Sequence, residues 1–270
     1  MKIGIVLGGT NPERQRRNPV LNGAVDILRA QAAEVDLIEP RLMTYELSEV
    51  RVQHDLYVIK SISNPLAASY NATLHALGAT TFNPFPVVQM IRNKIAVTRL
   101  LAENSVPVPA TFVSADAESL LPMLDEGPLI VKPYMGSSGV GIKRIATRDE
   151  LLAVTDGPPV FAQRHHPSDD GFDRKITVIG GKVFGVKRVF PLKNYEDKVG
   201  QPLEISDEIL EIVARMSKAL TIDMFTFDLM ISGGKPYVVD VGAFGGLMGV
   251  PKADEMVAER IIRAWEERER

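Results

Sequence analysis

The sequence predicts an α/β fold that becomes α+β in its C-terminal half, and three observations support this. Within the first 85 residues or so, short apolar, β-branched runs that predict strands alternate four times with segments that predict helices. In the last third, apolar strand-like runs flank Gly180-Gly181 and Gly233-Gly234, as expected for hairpins. Amphipathic helices separate and close these hairpins. The alternation predicts an open parallel sheet, and the hairpins predict antiparallel pairing.

The N-terminal elements follow from periodicity and from the residues that end each run. The predicted strands are "KIGIVLGG", "AEVDLIEP", "HDLYVIKS" and "ATTFNP". The predicted helices are "NPVLNGAVDILRAQ" and "PLAASYNATLHALG", the second of which ends at Gly78. These elements predict an N-terminal Rossmann-like domain over residues 1–83.

The rest of the chain divides into two further predicted units, 84–156 and 157–270. In the first unit, "PVVQMIRNKIAVTRLLAENS" predicts one amphipathic helix, and "AESLLPMLDE" predicts a helix in spite of its proline. A strand at "ATFVSA" lies between them, and "PLIVKPY" and "GVGIKRIAT" predict a hairpin followed by the helix "RDELLAVT". In the second unit, "PPVFAQRHH" is a strand, and the two glycine hairpins alternate with helices "SDEILEIVARMSKALTI" and "PKADEMVAERIIRAWEERER".

Composition narrows the class of protein. Hydrophobic residues make up 45% and charged residues 24% of the 270 positions, and the net charge is −3, so the overall balance does not indicate nucleic acid or a membrane surface as a partner. The absence of cysteine excludes disulfides, thiolate metal sites and a cysteine nucleophile. No window reaches the roughly 18 apolar residues of a membrane helix. We therefore expect a cytoplasmic protein.

The stretch "IVKPYMGSSGVGIKRI" combines a glycine-rich tip with positive charge. Its flanks look like strands and it lacks the Walker spacing, so we expect a hairpin lid whose backbone N–H groups reach phosphate oxygens. Ser137 and Ser138 add hydroxyl donors, and Lys132 would hold a phosphate as a point charge. The alternative interpretation is a mobile surface hairpin that binds no ligand.

Two aspartates lie on the consecutive strands of the last predicted hairpin. Asp228 and Asp240 differ by an even number, which we interpret as placing them near each other on one face of the hairpin. Two carboxylates inside apolar strands need a cation that compensates their charge. Magnesium prefers oxygen ligands of this kind, and the aspartates could bind it together with the phosphates of a nucleotide. The alternative is that one aspartate lies in a turn and the other at the strand end.

Taken in order, these segments resemble the ATP-grasp enzymes over nearly the full length of the chain. The resemblance implies an ATP-grasp fold with an N-terminal open parallel sheet domain. It also implies a set of residues that bind ATP and Mg²⁺. They are Lys94, Lys132 and the lid from Gly136 to Gly141 (Gly136, Ser137, Ser138, Gly139, Gly141) for phosphates, Gln163, Arg164, His165 and His166 as the adenine hinge, Asp173 for ribose, Lys175 and Arg188 as cationic contacts, and Asp228 and Asp240 for the metal.

The chain departs from the pattern of the family at two places. Arg164, followed by His165 and His166, stands where the hinge usually has glutamate; a zinc site at this histidine pair is the alternative interpretation. Asp240 is followed after one residue by Gly242, where the family has a metal-binding asparagine. Weak metal binding, a water in place of the missing ligand and reduced catalysis are all compatible with this change.

Shorter segments resemble different branches of the family and leave the branch open. "LGGTNPER" resembles the opening of D-alanine–D-alanine ligases, in which the residue matching Glu13 holds the substrate amine; Arg14, Arg16 and Arg17 follow in the same loop. "VIKSIS" and "VVDVGAFGGLMGVP" are more similar to glutamate-adding ligases and to inositol phosphate kinases of the same fold. A solvated loop acid is the alternative for Glu13.

The resemblance predicts an ATP-dependent carboxylate–amine ligase that acts through an acyl phosphate. Arg188 and Lys132 are the predicted catalytic residues, and Glu13 and Arg14 the predicted substrate contacts. The predicted partners are small-molecule carboxylate and amine substrates, with no nucleic acid and no membrane; a homodimer is left open. A small-molecule kinase of this fold, or a nucleotide-binding protein with reduced catalysis, is the alternative.

Overall fold

The structure is a computed structural model that describes residues 1–9, 13, 16–136, 139–155, 157–189 and 199–268. Three sheets organise these residues. Three residues with predicted roles lie outside the described ranges: Ser137 and Ser138 of the glycine-rich stretch, and the predicted substrate residue Arg14. Among the described residues, no helix combines the length and the apolar character needed to cross a membrane.

The first sheet is parallel, as the alternation of strands and helices predicts. Its strands are β1 (Lys2–Val6), β2 (Glu34–Ile38), β3 (Leu56–Ile59) and β4 (Thr81–Phe82), in the order β2-β1-β3-β4. Helices α1 (Pro19–Ala30) and α2 (Pro65–Ala76) connect the strands. Two 3₁₀ turns, Pro40–Leu42 and Leu47–Glu49, were not predicted. β1 and β3 are almost entirely buried because helices cover both faces of the sheet.

The predicted single helix after β4 is wrong, because the chain forms two helices there. They are α3 (Phe85–Arg92) and α4 (Lys94–Glu103), with Asn93 between them. The Asn93 side chain accepts hydrogen bonds from the backbone N–H groups of Ile95 (3.1 Å) and Ala96 (3.2 Å), which makes it the N-cap of α4. Lys94 therefore lies at the start of a helix rather than in the middle of one.

The second sheet is antiparallel and carries the glycine-rich hairpin. Its strands are β5 (Thr111–Ser114), β6 (Leu129–Val131), β7 (Lys143–Ile145) and β8 (Val160–Arg164), in the order β5-β8-β6-β7, and helix α5 (Arg148–Leu152) packs beside them. The helix predicted at "AESLLPMLDE" is instead a 3₁₀ segment, Glu118–Glu126. Pro122 inside this segment has no N–H to donate, which disfavours an α-helix.

The third sheet is antiparallel and contains both predicted glycine hairpins. Its strands are β9 (Phe172–Ile179), β10 (Lys182–Val189), β11 (Gln201–Leu203), β12 (Met224–Ser232) and β13 (Lys235–Gly242), in the order β11-β10-β9-β12-β13. Helices α6 (Asp207–Leu220) and α7 (Ala253–Glu267) complete this part of the chain. All four turn glycines have positive φ, the backbone conformation that two-residue hairpin turns require. The short strand β11 was not predicted.

The predicted domain division stays a prediction, and two observations bear on where its boundaries lie. β8 follows the predicted boundary at 156/157, yet it pairs with β5 and β6 of the second sheet. α7 packs through Val257 and Ile261 into the core formed by the first sheet and α1. The C-terminal end of the chain therefore shares a core with the N-terminal sheet.

The cap at Asn93 supplies a test of the helix break. Asn93→Ala removes the side-chain acceptor for two backbone N–H groups, so we expect it to lower the free energy of unfolding by about 1 kcal/mol. Urea denaturation of the variant and the wild type measures this difference. Gln89→Ala, an exposed change within α3, is the matched control and should alter stability by less than about 0.5 kcal/mol. Equal stability of Asn93→Ala and wild type would contradict the capping role.

Candidate active site

A β-bulge in the hairpin of β12 and β13 brings the two predicted metal-binding aspartates together. The strands pair regularly from Ser232–Lys235 to Leu229–Val238, and the register then shifts so that Asp228 lies opposite Asp240. Val239 is the extra residue. Without it Asp228 would oppose residue 239, and Asp240 would point to the other face of the sheet. The sequence argument from even spacing was therefore wrong in its reasoning, although the two carboxylates do face each other.

Asp228 belongs to a row of alternating charges across the third sheet. Its Oδ1 lies 2.9 Å from Lys175 Nζ and 3.0 Å from Arg188 Nη2. Arg188 also forms a two-point pair with Asp173, at 2.8 Å from Nε and 2.6 Å from Nη2. Lys175 on β9 lies directly opposite Asp228 on β12. Asp173, also on β9, lies directly opposite Arg188 on β10. The sheet register therefore places these predicted residues on one face.

Asp240 is paired with a cation from another part of the chain. Lys94, the first residue of α4, donates a hydrogen bond from Nζ to Asp240 Oδ1. The backbone N–H of Lys94 donates to the carbonyl of Tyr134 at 3.0 Å, which ties the start of α4 to the base of the glycine-rich hairpin. Because the side chain of Asp240 is 41% exposed, this end of the row of charges is open to solvent.

Lys132 approaches the same place from the second sheet. It follows β6 directly, and its Nζ donates to the carbonyl of Val239 at 2.7 Å. Val239 is the bulged residue, so its carbonyl is free of the regular ladder and can accept this bond. Lys132 is only 7% exposed. The bulge thus orients Asp240 and also supplies the acceptor that holds Lys132.

Burial and ion pairing shift the pKa values of this cluster in different directions. Burial lowers the pKa of Lys132 to about 8, although the charge of Asp240 acts against this. Burial also raises the pKa of Asp173, with Arg188 opposing. For Asp228, burial acts upward, but the charges of Lys175 and Arg188 outweigh it and the pKa is lowered. Asp228 is therefore held in its ionised form, which a metal ligand requires.

The cluster carries more positive than negative groups. The cations are Lys94, Lys132, Lys175 and Arg188, and the carboxylates are Asp173, Asp228 and Asp240. An excess of positive charge in a partly buried site attracts polyphosphate. The carboxylates at the same site suit a divalent cation that accompanies the phosphates. This combination of charges fits a metal-bound nucleotide better than either a free anion or a free metal.

The glycine-rich tip is confirmed as the end of a hairpin, since β6 and β7 pair antiparallel on either side of it. Gly139 and Gly141 have positive φ, which glycine adopts without strain. Gly136 lies at the base, where its carbonyl accepts a hydrogen bond from Arg92 Nη1 at 2.5 Å. Val140 near the tip is 75% exposed, so its apolar side chain makes little contact with the rest of the protein. The role of this hairpin as a lid stays a prediction.

The predicted hinge connects the second and third sheets. Gln163 is buried and donates from Nε2 to Thr111 Oγ1 at 3.1 Å. Arg164 donates from Nη2 to Glu126 Oε2 at 3.1 Å, and its backbone N–H donates to the carbonyl of Ala110. The His166 ring stacks on Tyr237 of β13, with 3.7 Å between ring centroids. This stack links the hinge to the hairpin that carries Asp240.

Burial lowers the pKa of both hinge histidines, which favours the neutral form that a zinc ligand would need. However, the described residues contain no group of three or more histidine, aspartate and glutamate side chains arranged to hold a metal. The zinc interpretation of His165 and His166 therefore gains no support. Asp228 and Asp240 could hold magnesium only together with other oxygen ligands, such as nucleotide phosphates.

The predicted substrate contacts are only partly described. Glu13 is exposed, and its backbone carbonyl accepts a hydrogen bond from the N–H of Arg17. Arg16 pairs with Glu39 at 2.6 Å, next to the carboxyl end of β2. Since ligands of open parallel sheets bind at the carboxyl ends of the strands, this loop lies at a suitable edge. The roles of Glu13 and Arg14 stay predictions.

Two further residues of the site were missed from the sequence. Arg92, two positions before Lys94, contacts the base of the glycine-rich hairpin through Gly136; its place in a cationic helix segment was the available signal. Thr226 lies opposite Gly242, and its buried Oγ1 has no hydrogen-bond partner. A Cβ atom at Gly242 would lie 3.2 Å from that oxygen. The hairpin therefore has a nearby polar atom at the position where the asparagine of the family is absent.

Comparisons with known proteins show which family of domains this chain matches. Residues 91–265, more than half of the chain, match a RimK-like ATP-grasp domain. A probable α-L-glutamate ligase of Klebsiella pneumoniae (strain 342) is 26% identical over 208 residues, covering 72% of this chain and 69% of that protein. The ribosomal protein bS6–L-glutamate ligase of Escherichia coli O7:K1 (strain IAI39 / ExPEC) is 25% identical over 207 residues, covering 71% and 69%.

Among solved structures, the chain is similar to the RimK domain protein ATP-grasp from Sphaerobacter thermophilus DSM 20745. The TM-score is 0.76 with 15% sequence identity, over 97% of this chain and 100% of that chain. At this identity the likeness concerns the fold. The predicted ATP-grasp fold, with a parallel sheet and two antiparallel sheets, is thereby confirmed.

The buried amine of Lys132 predicts a specific dependence of stability on pH. Below pH 8 both the folded and the unfolded chain carry the proton, and the folded state bears the full cost of a buried charge. Between its lowered pKa of about 8 and the ordinary 10.5, the folded chain binds fewer protons, so its stability rises with pH. We therefore expect the unfolding free energy of wild type, relative to Lys132→Met, to increase from about pH 7.5 to about pH 9.5 in urea titrations.

The control for this measurement is Lys182→Met, which removes an exposed lysine at the start of β10. The difference in unfolding free energy between Lys182→Met and wild type should be the same at pH 7.5 and at pH 9.5. Parallel pH profiles for Lys132→Met and wild type would show that Lys132 is not held in a desolvated position.

Proposed function

The chain belongs to the RimK-like ATP-grasp family, and from this we propose that it joins a carboxylate to an amine at the expense of ATP, through an acyl phosphate. The predicted family and enzyme class, an ATP-grasp carboxylate–amine ligase that forms a carbon–nitrogen bond, are confirmed by the matched domain and by the ligases among its relatives. ATP use follows from the family. The substrates, the residue roles and the metal are parts of the proposal.

The proposed reaction has two steps. A carboxylate oxygen of one substrate attacks the γ-phosphorus of ATP, the bond to the β-phosphate oxygen breaks, and ADP leaves. The nitrogen of the second substrate then attacks the acyl carbon, inorganic phosphate leaves, and the nitrogen loses a proton. Neither step needs a covalent protein nucleophile. The protein contributes by positioning the reactants and by neutralising charge.

The residues of the charge cluster suit this task. We assign Lys94 and Lys132 to phosphate oxygens, and Arg188 to the charge that develops on the transferred phosphoryl group. Asp228 and Asp240 would hold magnesium, which supplies neutralisation of the phosphate oxygens when bound. The observation that supports this assignment most is the convergence of these five side chains on the bulge, from α4, the residue after β6, β10, β12 and β13.

For the amine we propose an amino acid, and we take L-glutamate as the first candidate because two relatives are glutamate ligases. Arg16 and Arg17 lie in the loop after β1, at the edge of the parallel sheet. Arg16 is paired with Glu39 there, whereas Arg17 is exposed and would attract a carboxylate of such a substrate. The carboxylate substrate is either a small molecule or the end of a polypeptide. A cytoplasmic location and a homodimer stay predictions.

Product analysis tests the proposed function. Purified protein with magnesium and ATP is offered L-glutamate and a panel of carboxylic acids and peptides, and ADP, phosphate and new masses are followed together. The proposal predicts an amide product with equal amounts of ADP and inorganic phosphate. A phosphorylated product with ADP alone would indicate a kinase, and no turnover with any pair would leave only nucleotide binding. Activity that survives Lys132→Ala would point to a contaminant, whereas Lys182→Ala should retain full activity.

The hairpin of β12 and β13, which we call the metal hairpin, departs from the family at Gly242, and this predicts a change in magnesium dependence. Magnesium prefers six oxygens, and Gly242 offers no side-chain ligand where the family has asparagine. Gly242→Asn should lower the magnesium concentration that gives half-maximal ATP turnover, because it restores an amide oxygen next to Asp240. Asp240→Asn should raise that concentration, because it removes one negative charge from the facing pair. Initial rates over a magnesium titration at saturating ATP measure both effects.

Gly242→Ala is the matched control, since it adds the same Cβ atom beside Thr226 without an oxygen ligand. It should leave the magnesium dependence unchanged. If Gly242→Asn and Asp240→Asn are both silent, this hairpin does not hold the metal.

A further inference from the structure

The loop that follows β13 is held by a lysine from the opposite end of the chain. Lys60, directly after β3, donates from Nζ to the carbonyl of Phe244 at 3.0 Å and to the carbonyl of Gly245 at 2.6 Å. The same Nζ lies 4.3 Å from the centre of the Phe244 ring. One side chain therefore contacts two successive carbonyls of the loop and the face of its aromatic residue.

Two asparagines extend this contact to the neighbouring carbonyls. Asn83, after β4, donates from Nδ2 to the carbonyl of Ala243 at 2.8 Å. Asn18, the N-cap of α1, donates from Nδ2 to the carbonyl of Gly246 at 3.1 Å. The four successive carbonyls of residues 243–246 are thus all bonded to side chains of the N-terminal 83 residues. We refer to Asn18, Lys60 and Asn83 as the carbonyl clasp.

The opposite side of the loop is fixed as well. A Cβ atom at Gly245 would lie 2.7 Å from Thr226 Cγ2, so the loop backbone packs directly on β12 beside the facing aspartates. The loop begins three residues after Asp240. The clasp therefore joins the carboxyl edge of the parallel sheet to the end of the metal hairpin, with the loop between them.

Burying the amine of Lys60 at this position costs free energy that an apolar side chain would not. It is 7% exposed and forms no ion pair with a carboxylate of the described residues. Burial lowers its pKa to about 7, which reflects the cost of placing an amine there. A methionine would occupy similar space without that cost. What lysine adds is its N–H groups, and these donate to the loop.

We propose that Lys60 is a positioning residue of the ligase reaction: with Asn18 and Asn83 it holds loop 243–246, and thereby aligns the metal hairpin with the edge of the parallel sheet. This rests on the proposed function, in which the acyl phosphate forms at the hairpin and the second substrate approaches from that edge. Misplacing reacting groups by about 1 Å costs roughly a hundredfold in rate. Loss of the clasp should therefore slow turnover more than it weakens ATP binding.

Two neutral variants of similar length separate hydrogen bonding from packing. Lys60→Met keeps the apolar stem and removes the donors, whereas Lys60→Gln keeps two N–H donors on an amide. We expect Lys60→Met to lower kcat by at least about tenfold while KM for ATP changes less than about twofold, and Lys60→Gln to recover part of the loss. Lys182→Met is the control and should match the wild type in both constants.

Hydrogen exchange supplies a readout that does not depend on the ligase activity. Backbone amides in the peptide covering residues 243–249 should exchange at least about tenfold faster in Lys60→Met than in wild type, while amides of β1 and β3 keep their rates. Unchanged exchange in this peptide would overturn the proposal, as would equal kcat loss in Lys60→Met and Lys60→Gln. Faster exchange throughout the protein would show a general structural role instead. If no substrate pair gives turnover, the proposed function fails, and the exchange measurement still decides whether the clasp holds the loop.

Discussion

One extra residue in β13, Val239, sets the geometry on which the candidate site depends. A regular two-residue hairpin would turn Asp240 to the face opposite Asp228. The bulge at Val239 brings both carboxylates to one face and leaves its own carbonyl outside the ladder, where Lys132 binds it at 2.7 Å. Bulges are common next to active sites because they redirect a single side chain without rebuilding the sheet. Here one bulge orients an acid and anchors a cation from another sheet.

Each of the three carboxylates gathered at this bulge, Asp173, Asp228 and Asp240, is paired with a cation of the protein. Asp228 is paired with Lys175 and Arg188, and Asp240 with Lys94. A polyphosphate accompanied by a divalent cation offers each group a stronger partner, because carboxylates can turn to the metal and cations to the phosphates. Binding would therefore exchange one set of ion pairs for another. Such an exchange keeps the buried carboxylates compensated throughout, whereas an unpaired buried charge would cost several kcal/mol.

The sequence predicts the three sheets well because they depend on local patterns, and it supplies the charged residues of the site through its resemblance to the ATP-grasp enzymes. It fails where a single residue interrupts a pattern that continues on both sides. Asn93 caps a helix inside a run of helical spacing, and Pro122 turns a helix-like segment into a 3₁₀ segment. The bulge at Val239 has no signature in the spacing of apolar residues. The contact of Lys60 with Phe244 joins positions 184 apart, which only the folded chain brings together.

A crystal structure with magnesium and a non-hydrolysable ATP analogue tests the central claim most directly, namely that the bulge assembles one site for metal and phosphate. The account predicts that Asp228 and Asp240 both bind one magnesium ion, at about 2.0–2.1 Å, and that Lys94 moves from Asp240 to a phosphate oxygen. The account would be contradicted if the phosphates lay elsewhere and the Lys94–Asp240 pair stayed closed in the presence of bound nucleotide.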